Sequence, residues 1–81
     1  MLSQYTVAAL LGISLVEVSR RRRQNKFVTF VDAGGVLVFP TIQFAQIDIE
    51  SAAWHVDTAL VDRWCAAGKP GRAGWAEFMA G

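Results

Sequence analysis

Apolar positions near the start of the chain follow a helical period that ends at a glycine. In the stretch QYTVAALLG, the apolar stripe consists of Val7, Ala8, Leu10 and Leu11. This spacing predicts an amphipathic helix. Thr6 is its expected N-cap, because a hydroxyl can accept a hydrogen bond from a free backbone N–H of the first turn. Gly12 is expected to end the helix, since glycine adopts the left-handed conformation at little cost.

A second helix is predicted over residues 14–25, after Ile13, which is expected to be buried between the two helices. Ser14 and Glu17 match the Ser-x-x-Glu capping box, in which the two residues satisfy each other's backbone N–H groups. Two short helices joined by a tight Gly-Ile-Ser turn are typical of a helix-turn-helix motif. An ordinary helical hairpin is the alternative interpretation of the same pattern.

A β-hairpin is predicted directly after the second helix. Residues Phe27–Val31 and Val36–Phe39 are rich in β-branched and aromatic side chains, and a glycine-containing turn, Asp32–Gly35, separates them. Asn25 is expected to be a left-handed cap before the hairpin, and Pro40 to stop its second strand. Because both strands are apolar on both faces, we expect the hairpin to pack against helices.

The pattern of the second half predicts mainly helix. Residues 41–51 are ambiguous between extended and irregular structure. A helix is expected from about Ser51, with an apolar face made of Ala53, Val56, Leu60, Val61 and Trp64. Gly68 should end it, and a last short helix is expected over Ala73–Ala80.

Together these elements predict a single small α+β domain. Residues 1–44 are expected to form a winged helix-turn-helix, with the short β-hairpin as its wing, and residues 45–81 a C-terminal helical extension that packs on it. With 81 residues the chain is near the lower limit for a stable core. Its single cysteine, Cys65, excludes a disulfide framework and a tetrahedral zinc site.

Four consecutive arginines, Arg20 to Arg23, end the second helix. Successive helical residues are about 100° apart, so the four side chains cannot all face one partner. Val18 is expected to face inward, which places Arg21 and Arg22 beside the core edge. Arg20 and Arg23 share the opposite stripe with Leu15, Val16 and Ser19, the side that a recognition helix turns toward DNA. A solvated helix C-terminus, where positive charge favours the helix dipole, is the alternative.

Under the DNA-binding interpretation each residue of the second helix has an expected role. Ser19, Arg20 and Arg23 would face bases, while Leu15 and Val16 would make apolar contacts. Backbone phosphates would be held by Arg21, Arg22 and Lys26, and Ser14 starts the helix that enters the major groove. The charge distribution agrees with binding of a polyanion by the first part of the chain. Residues 1–26 hold five basic and one acidic side chain, whereas residues 27–81 hold three basic and six acidic ones.

Catalytic and metal-binding chemistry is not expected. His55 and Cys65 are the only histidine and cysteine, and they are too far apart along the chain for a nucleophile and base on one helix. We therefore predict no enzyme, no cofactor and no metal site. The sequence also shows no signal peptide and no apolar run long enough for a membrane span, so a cytoplasmic location is expected and a membrane partner is not.

The C-terminal aromatic residues predict a second kind of surface. A domain this small has room for few large side chains in its core, and aromatic residues are enriched in protein interfaces. We expect Trp75, Phe78 and Met79 to bury their apolar surface on another chain, either a second copy or a partner protein.

The stretch YTVAALLGISLVEVSRRRRQNKFVTFVDAGGVLVFP resembles the small winged helix-turn-helix proteins of the excisionase and MerR-like group. The overlapping stretch RRRRQNKFVTFVDAGGVLVFPTIQF is also similar to the N-terminal part of antitoxins of the MbcA/ParS/Xre type, with Pro40, Gln43 and Phe44 as its Pro-x-x-Gln-Phe segment. The resemblance implies a sequence-specific regulator of transcription or of phage recombination and excision. Its partner would be double-stranded DNA, bound by a homodimer or a cooperative array. An antitoxin-like or phage-encoded module that binds a protein through the C-terminal helices is the alternative.

Overall fold

The computed structural model describes residues 1–48 and 53–81, which form an α+β domain. The helices are α1 (Gln4–Leu11), α2 (Leu15–Arg23), α3 (Thr58–Ala66) and α4 (Arg72–Ala80). The strands are β1 (Leu2–Ser3), β2 (Phe30–Val31), β3 (Leu37–Phe39), β4 (Phe44–Asp48) and β5 (Ala53–Val56), with a 3₁₀ turn at Thr41–Gln43. One antiparallel sheet has the order β1-β3-β2, and β4 pairs with β5 in a second.

The N-cap of helix α1 lies three residues before the expected cap. The hydroxyl of Ser3 accepts a hydrogen bond from the backbone N–H of Thr6 at 3.2 Å, so Ser3 is the N-cap and the prediction of Thr6 was wrong. The cause is a contact with a distant part of the chain. Strand β1 pairs with β3, with Leu2 opposite Phe39, and this pairing positions Ser3 at the start of the helix. The predicted end is confirmed, since Gly12 has a φ of 66°.

The first hydrophobic core lies where α1 and α2 meet the sheet. Its buried members are Val7, Ala8, Val18, Phe27, Phe39 and Phe44. The rings of Phe27 and Phe39 meet edge to face with centroids 5.6 Å apart, a favoured aromatic arrangement. This core fixes α2 by the side that carries Val18, and therefore decides which of its side chains point outward.

The predicted hairpin is present with shorter strands. Asp32 closes its turn, because its Oδ1 accepts hydrogen bonds from the backbone N–H groups of Gly34 and Val36, at 2.9 and 3.0 Å. Gly35 adopts a φ of 79°, which glycine tolerates without strain. The expectation that the hairpin packs against helices is confirmed, since Phe30 and Phe39 are buried.

The buried side chain of Gln43 explains why the first strand of the hairpin, β2, starts only at Phe30. Its amide accepts from the N–H of Val28 at 2.7 Å and donates to the carbonyl of Val28 at 2.8 Å. The side chain thus takes the place of a neighbouring strand for Val28. The backbone carbonyl of Gln43 also accepts from the N–H of Asp57 at 2.7 Å, which ties the start of α3 to the same point.

The helix expected from about Ser51 is wrong over residues 53–56. Ser51 itself lies outside the described residues, and the chain from Ala53 to Val56 is strand β5, with Val56 opposite Phe44. Helix α3 begins after Asp57, whose carboxylate accepts from the N–H of Leu60 at 3.1 Å. Ala53 and Val56 fit the apolar face of a helix, but the same residues are also compatible with a strand. Pairing with β4 decides for the strand.

The second core joins the opposite face of the hairpin to α3 and α4. Val28, Phe30, Val61 and Trp64 are buried in it, and Trp75 and Phe78 pack against them. Helix α4 confirms the last predicted helix with one additional residue at its start. Among the described helices, none has the length and apolar character needed to cross a bilayer.

Candidate nucleic-acid interface

Helix α2 turns one full side to solvent. Val18, which is 1% exposed, anchors the opposite side in the first core. Val16 is 77% exposed, the side chain of Arg20 is 57% exposed, and Arg23 is also exposed. At about 100° per residue these three lie within one third of the helix circumference, facing away from Val18. We call Val16, Arg20 and Arg23 the outer face of α2.

The remaining predicted DNA contacts lie outside the outer face, some beside it and some nearer to Val18. Leu15 is 39% exposed and Ser14 is exposed, while Ser19, Arg21 and Arg22 are half-buried. The half-burial of the two arginines agrees with the prediction that they lie beside the core edge. Lys26 is exposed beyond the end of the helix.

The helix is shorter at its end than the predicted range of 14–25. It ends at Arg23, and Asn25 takes the expected left-handed conformation with a φ of 59°. The chain then turns back, so that the N–H of Lys26 donates to the carbonyl of Arg21 at 2.9 Å. This turn ends the helix and directs the chain toward the hairpin, whose first strand, β2, begins at Phe30.

Glu17 pairs with two of the arginines. Its Oε1 and Oε2 accept from Nη2 and Nε of Arg20 at 2.6 and 2.8 Å, and Oε1 also accepts from Nε of Arg21 at 2.9 Å. These hydrogen bonds, from Arg20 first and Arg21 second, lower the pKa of the Glu17 carboxyl to about 2. The same contact raises the pKa of Arg20. The guanidinium of Arg20 is therefore held in a defined position, with an acceptor already bound.

The predicted capping box is formed in one direction. The hydroxyl of Ser14 accepts from the N–H of Glu17 at 3.1 Å. The carboxylate of Glu17 instead accepts hydrogen bonds from Arg20 and Arg21. A carboxylate near the outer face thus reduces the positive charge that Arg20 and Arg21 present.

A groove of about 580 Å³ runs along the flank of α2 between the helix and β5. The helix contributes Glu17, Arg20 and Arg21 to its lining, and β5 contributes Trp54 and His55. Trp54 is 38% exposed. Sequence reasoning missed this wall of the site, because residues 53–56 were expected to be helical.

The predicted self-association residues are divided between core and surface. Trp75 lies edge-on to Phe30 with ring centroids 5.3 Å apart, and Phe78 packs on Trp75. Both are half-buried, and Met79 is 36% exposed. The structure therefore packs two of these three residues, Trp75 and Phe78, against the protein's own second core.

The described residues contain no cluster of three side chains that could hold a metal ion. His55 is exposed on β5, and Cys65 is half-buried on α3, where its Sγ lies 4.0 Å from the carbonyl oxygen of Asn25. The two side chains therefore lie on different elements, and the contact of Cys65 with Asn25 does not involve His55.

Comparisons of the chain with protein-family models, with curated proteins and with solved structures give no match.

Proposed function

We propose that this protein is a sequence-specific DNA-binding regulator of the winged helix-turn-helix kind, acting in transcription or in phage recombination and excision. The observation that carries the proposal is the outer face of α2. It bears two arginines and an apolar side chain on a helix anchored from behind by Val18. A helix of this diameter fits the major groove of B-DNA. In this proposal α1 supports α2, and the β2–β3 hairpin is the wing.

The outer face supplies the base contacts in this arrangement. Arginine can donate two hydrogen bonds to the major-groove edge of guanine, and an apolar side chain can contact the methyl group of thymine. Arg20 and Arg23 would make the first kind of contact, with Ser19 beside them. Val16 and Leu15 would make the second. Arg21 and Arg22 lie beside the core edge and Lys26 lies beyond the end of the helix. Their long side chains would extend to the phosphate backbone and set affinity without reading sequence.

The wing is suited to contact DNA through its apolar surface and not through positive charge. Its only charged tip residue, Asp32, has one carboxylate oxygen occupied by two backbone N–H groups. Val31 and Val36 are 62% and 55% exposed on the same hairpin. We therefore propose that the wing packs along the sugar edge of the groove and that α2 carries most of the ionic contacts.

The proposal is tested by fluorescence anisotropy on duplexes selected from a random pool. The parent protein should bind with an affinity that falls steeply as salt rises from 50 to 200 mM, since each neutralised phosphate contributes a slope of about 0.9 in a plot of log K against log salt. Changing Arg20 and Arg23 together to Ala should weaken binding by at least about tenfold and remove the preference for the selected sequence.

The control for this test is Arg72→Ala with Arg63→Ala, which removes the same charge from the helices of the other half. This variant should keep the sequence preference. Equal binding of the Arg20 and Arg23 variant and the parent, with both folded by circular dichroism, would reject α2 as the recognition helix.

Binding through a second copy of the chain is part of the proposal. A single module of this size covers about 600–1,000 Å² of DNA-contacting surface, which limits affinity. A dimer or a cooperative array would add contacts, and the exposed part of α4 around Met79 is the surface we propose for it. The same surface would serve a protein partner in the alternative, antitoxin-like function.

A further inference from the structure

A small cleft lies between the end of α2, the hairpin and the loop that joins α3 to α4. Its volume is about 200 Å³, and its polar lining consists of Arg22, Asn25, Thr29 and Lys69. The other lining residues are apolar or aromatic, and none is acidic. The cleft therefore offers hydrogen-bond donors and positive charge, and its lining contributes no carboxylate.

Two polar atoms of the residues that line this cleft are buried without a hydrogen-bond partner. They are Nε of Arg22, a donor, and Oγ1 of Thr29, a hydroxyl that can donate or accept. Leaving such a group unpaired in the interior is unfavourable, so buried polar atoms normally have a partner. Because Arg22 and Thr29 both line the cleft, an acceptor group bound there would lie beside the two side chains that carry these unpaired atoms.

Lys69, which lines the cleft, has an unusual backbone conformation. Its φ is 54°, and its ammonium group donates to the side-chain oxygen of Asn25, which has a φ of 59°. Left-handed conformations are uncommon for residues other than glycine, and asparagine adopts them more readily than lysine. Glycine at position 69 would meet the backbone requirement at lower cost. The lysine side chain therefore contributes something that the turn does not need.

We propose that this cleft binds a phosphate group, namely a backbone phosphate of the DNA that α2 enters. Phosphate supplies acceptor oxygens for Arg22 and Thr29 and a negative charge for Lys69. The inference rests on the proposed function. It extends the DNA-contacting surface from α2 to the α3–α4 loop, so that one phosphate is held between the recognition helix and the second half of the chain.

Two variants test the cleft without removing any residue of the outer face. Lys69→Gly removes the ammonium group and relieves the left-handed backbone, so the fold should be retained. Thr29→Val removes the unpaired hydroxyl at nearly constant volume, so the melting temperature should stay level or rise. Binding is measured on a 20-bp duplex of arbitrary sequence, since phosphate contacts are independent of sequence.

Lys69→Gly should reduce the salt slope by about 0.9 and weaken binding roughly tenfold at 0.1 M salt, the effect of one lost phosphate contact. Thr29→Val should weaken binding by a smaller factor and leave the slope unchanged. The matched control, Arg72→Gln, removes one positive charge three residues away. A loss of binding in Arg72→Gln as large as in Lys69→Gly would overturn the inference, because the effect would then be one of general charge.

The outcomes separate this inference from the proposed function. If the parent binds DNA and Lys69→Gly binds equally well, the cleft is not a phosphate site, and DNA binding by α2 stands. If the parent binds no duplex, the proposed function fails, and inorganic phosphate becomes the probe. Phosphate-dependent shifts of the Thr29 and Lys69 amide signals in the parent, with the Thr29 shift lost in Lys69→Gly, would support a site for free phosphate. Spectra that do not change on addition of phosphate would overturn the inference that the cleft binds phosphate.

Discussion

Glu17 holds two of the arginines that the proposed function requires. Its carboxylate accepts three hydrogen bonds from Arg20 and Arg21, and each guanidinium retains N–H groups that point elsewhere. The pair has two opposite consequences for the proposed DNA binding. It fixes the direction of Arg20, which favours recognition, and it brings a negative charge close to the phosphates, which opposes association.

Glu17→Gln is expected to bind duplex DNA more tightly, by roughly two- to fivefold at 0.1 M salt, because a solvent-exposed ion pair stabilises the helix little and the lost repulsion of phosphate outweighs it. Anisotropy titration measures the change. Glu77→Gln, which removes the same charge from α4, is the control and should bind like the parent. Weaker binding by Glu17→Gln would mean that the carboxylate positions Arg20 for base reading.

The same variant should change the response to acid. The pKa of Glu17 in the fold is about 2, below its ordinary value of 4.5. A lowered folded-state pKa means that the ionised carboxylate stabilises the fold above about pH 4.5, and that this contribution is lost as the pH falls toward about 2. The melting temperatures of the parent and Glu17→Gln should therefore differ at pH 5 and converge near pH 2. A constant difference across this range would contradict the pairing.

At the scale of elements, Gln43 connects three parts of the chain that are distant in sequence. Its side chain satisfies both backbone groups of Val28 before β2 begins, and its carbonyl accepts from the start of α3. Because the amide is fully buried, none of these groups can turn to water instead. The position of the proposed wing relative to α3 depends on this one side chain.

Gln43→Leu should lower the free energy of unfolding by about 2–5 kcal/mol, because it leaves two buried backbone groups of Val28 without partners, each at a cost of about 1–3 kcal/mol. Urea unfolding followed by tryptophan fluorescence measures the change. Gln24→Leu, at an exposed position after α2, is the matched control and should stay within about 0.5 kcal/mol of the parent. A similar small effect for Gln43→Leu would show that the fold can satisfy Val28 in another way.

At the scale of the whole molecule, the two hydrophobic cores share the hairpin. One face of the hairpin packs on α1 and α2, and the other packs on α3 and α4. Trp75 and Phe78 are committed to the second core through Phe30. Substitution of Trp75 would therefore disturb folding as well as any interface, and Met79 is the cleaner residue for a test of self-association.

Met79→Glu should shift the protein from dimer to monomer in sedimentation equilibrium, because it places a charge in the proposed apolar contact. Ala73→Glu, at another exposed position of α4, is the control and should leave the dimer intact. Cooperative binding to DNA should weaken with Met79→Glu in parallel. A parent protein that stays monomeric up to high concentration would exclude α4 as a self-association surface.

The parts of the fold that were predicted correctly are those whose signals lie within a few residues. Gly12 ends α1, Ser14 caps α2, and Asp32 to Gly35 turn the hairpin, because caps and tight turns depend on local φ preferences and on side chains three or four positions away. The outward direction of Arg20 and Arg23 also followed from the helical period once Val18 was assigned to the core.

The sequence by itself determined the first two helices, the hairpin and the side of α2 that faces solvent. Only the tertiary structure decided that residues 53–56 are a strand, that Gln43 supports Val28 fifteen residues away, and that Lys69 meets Asn25 across forty-four positions. The physical reason is distance along the chain. A turn or a cap is stable through contacts between near neighbours, whereas a strand pair, a buried amide or a shared cleft exists only when the path of the whole backbone brings remote residues together.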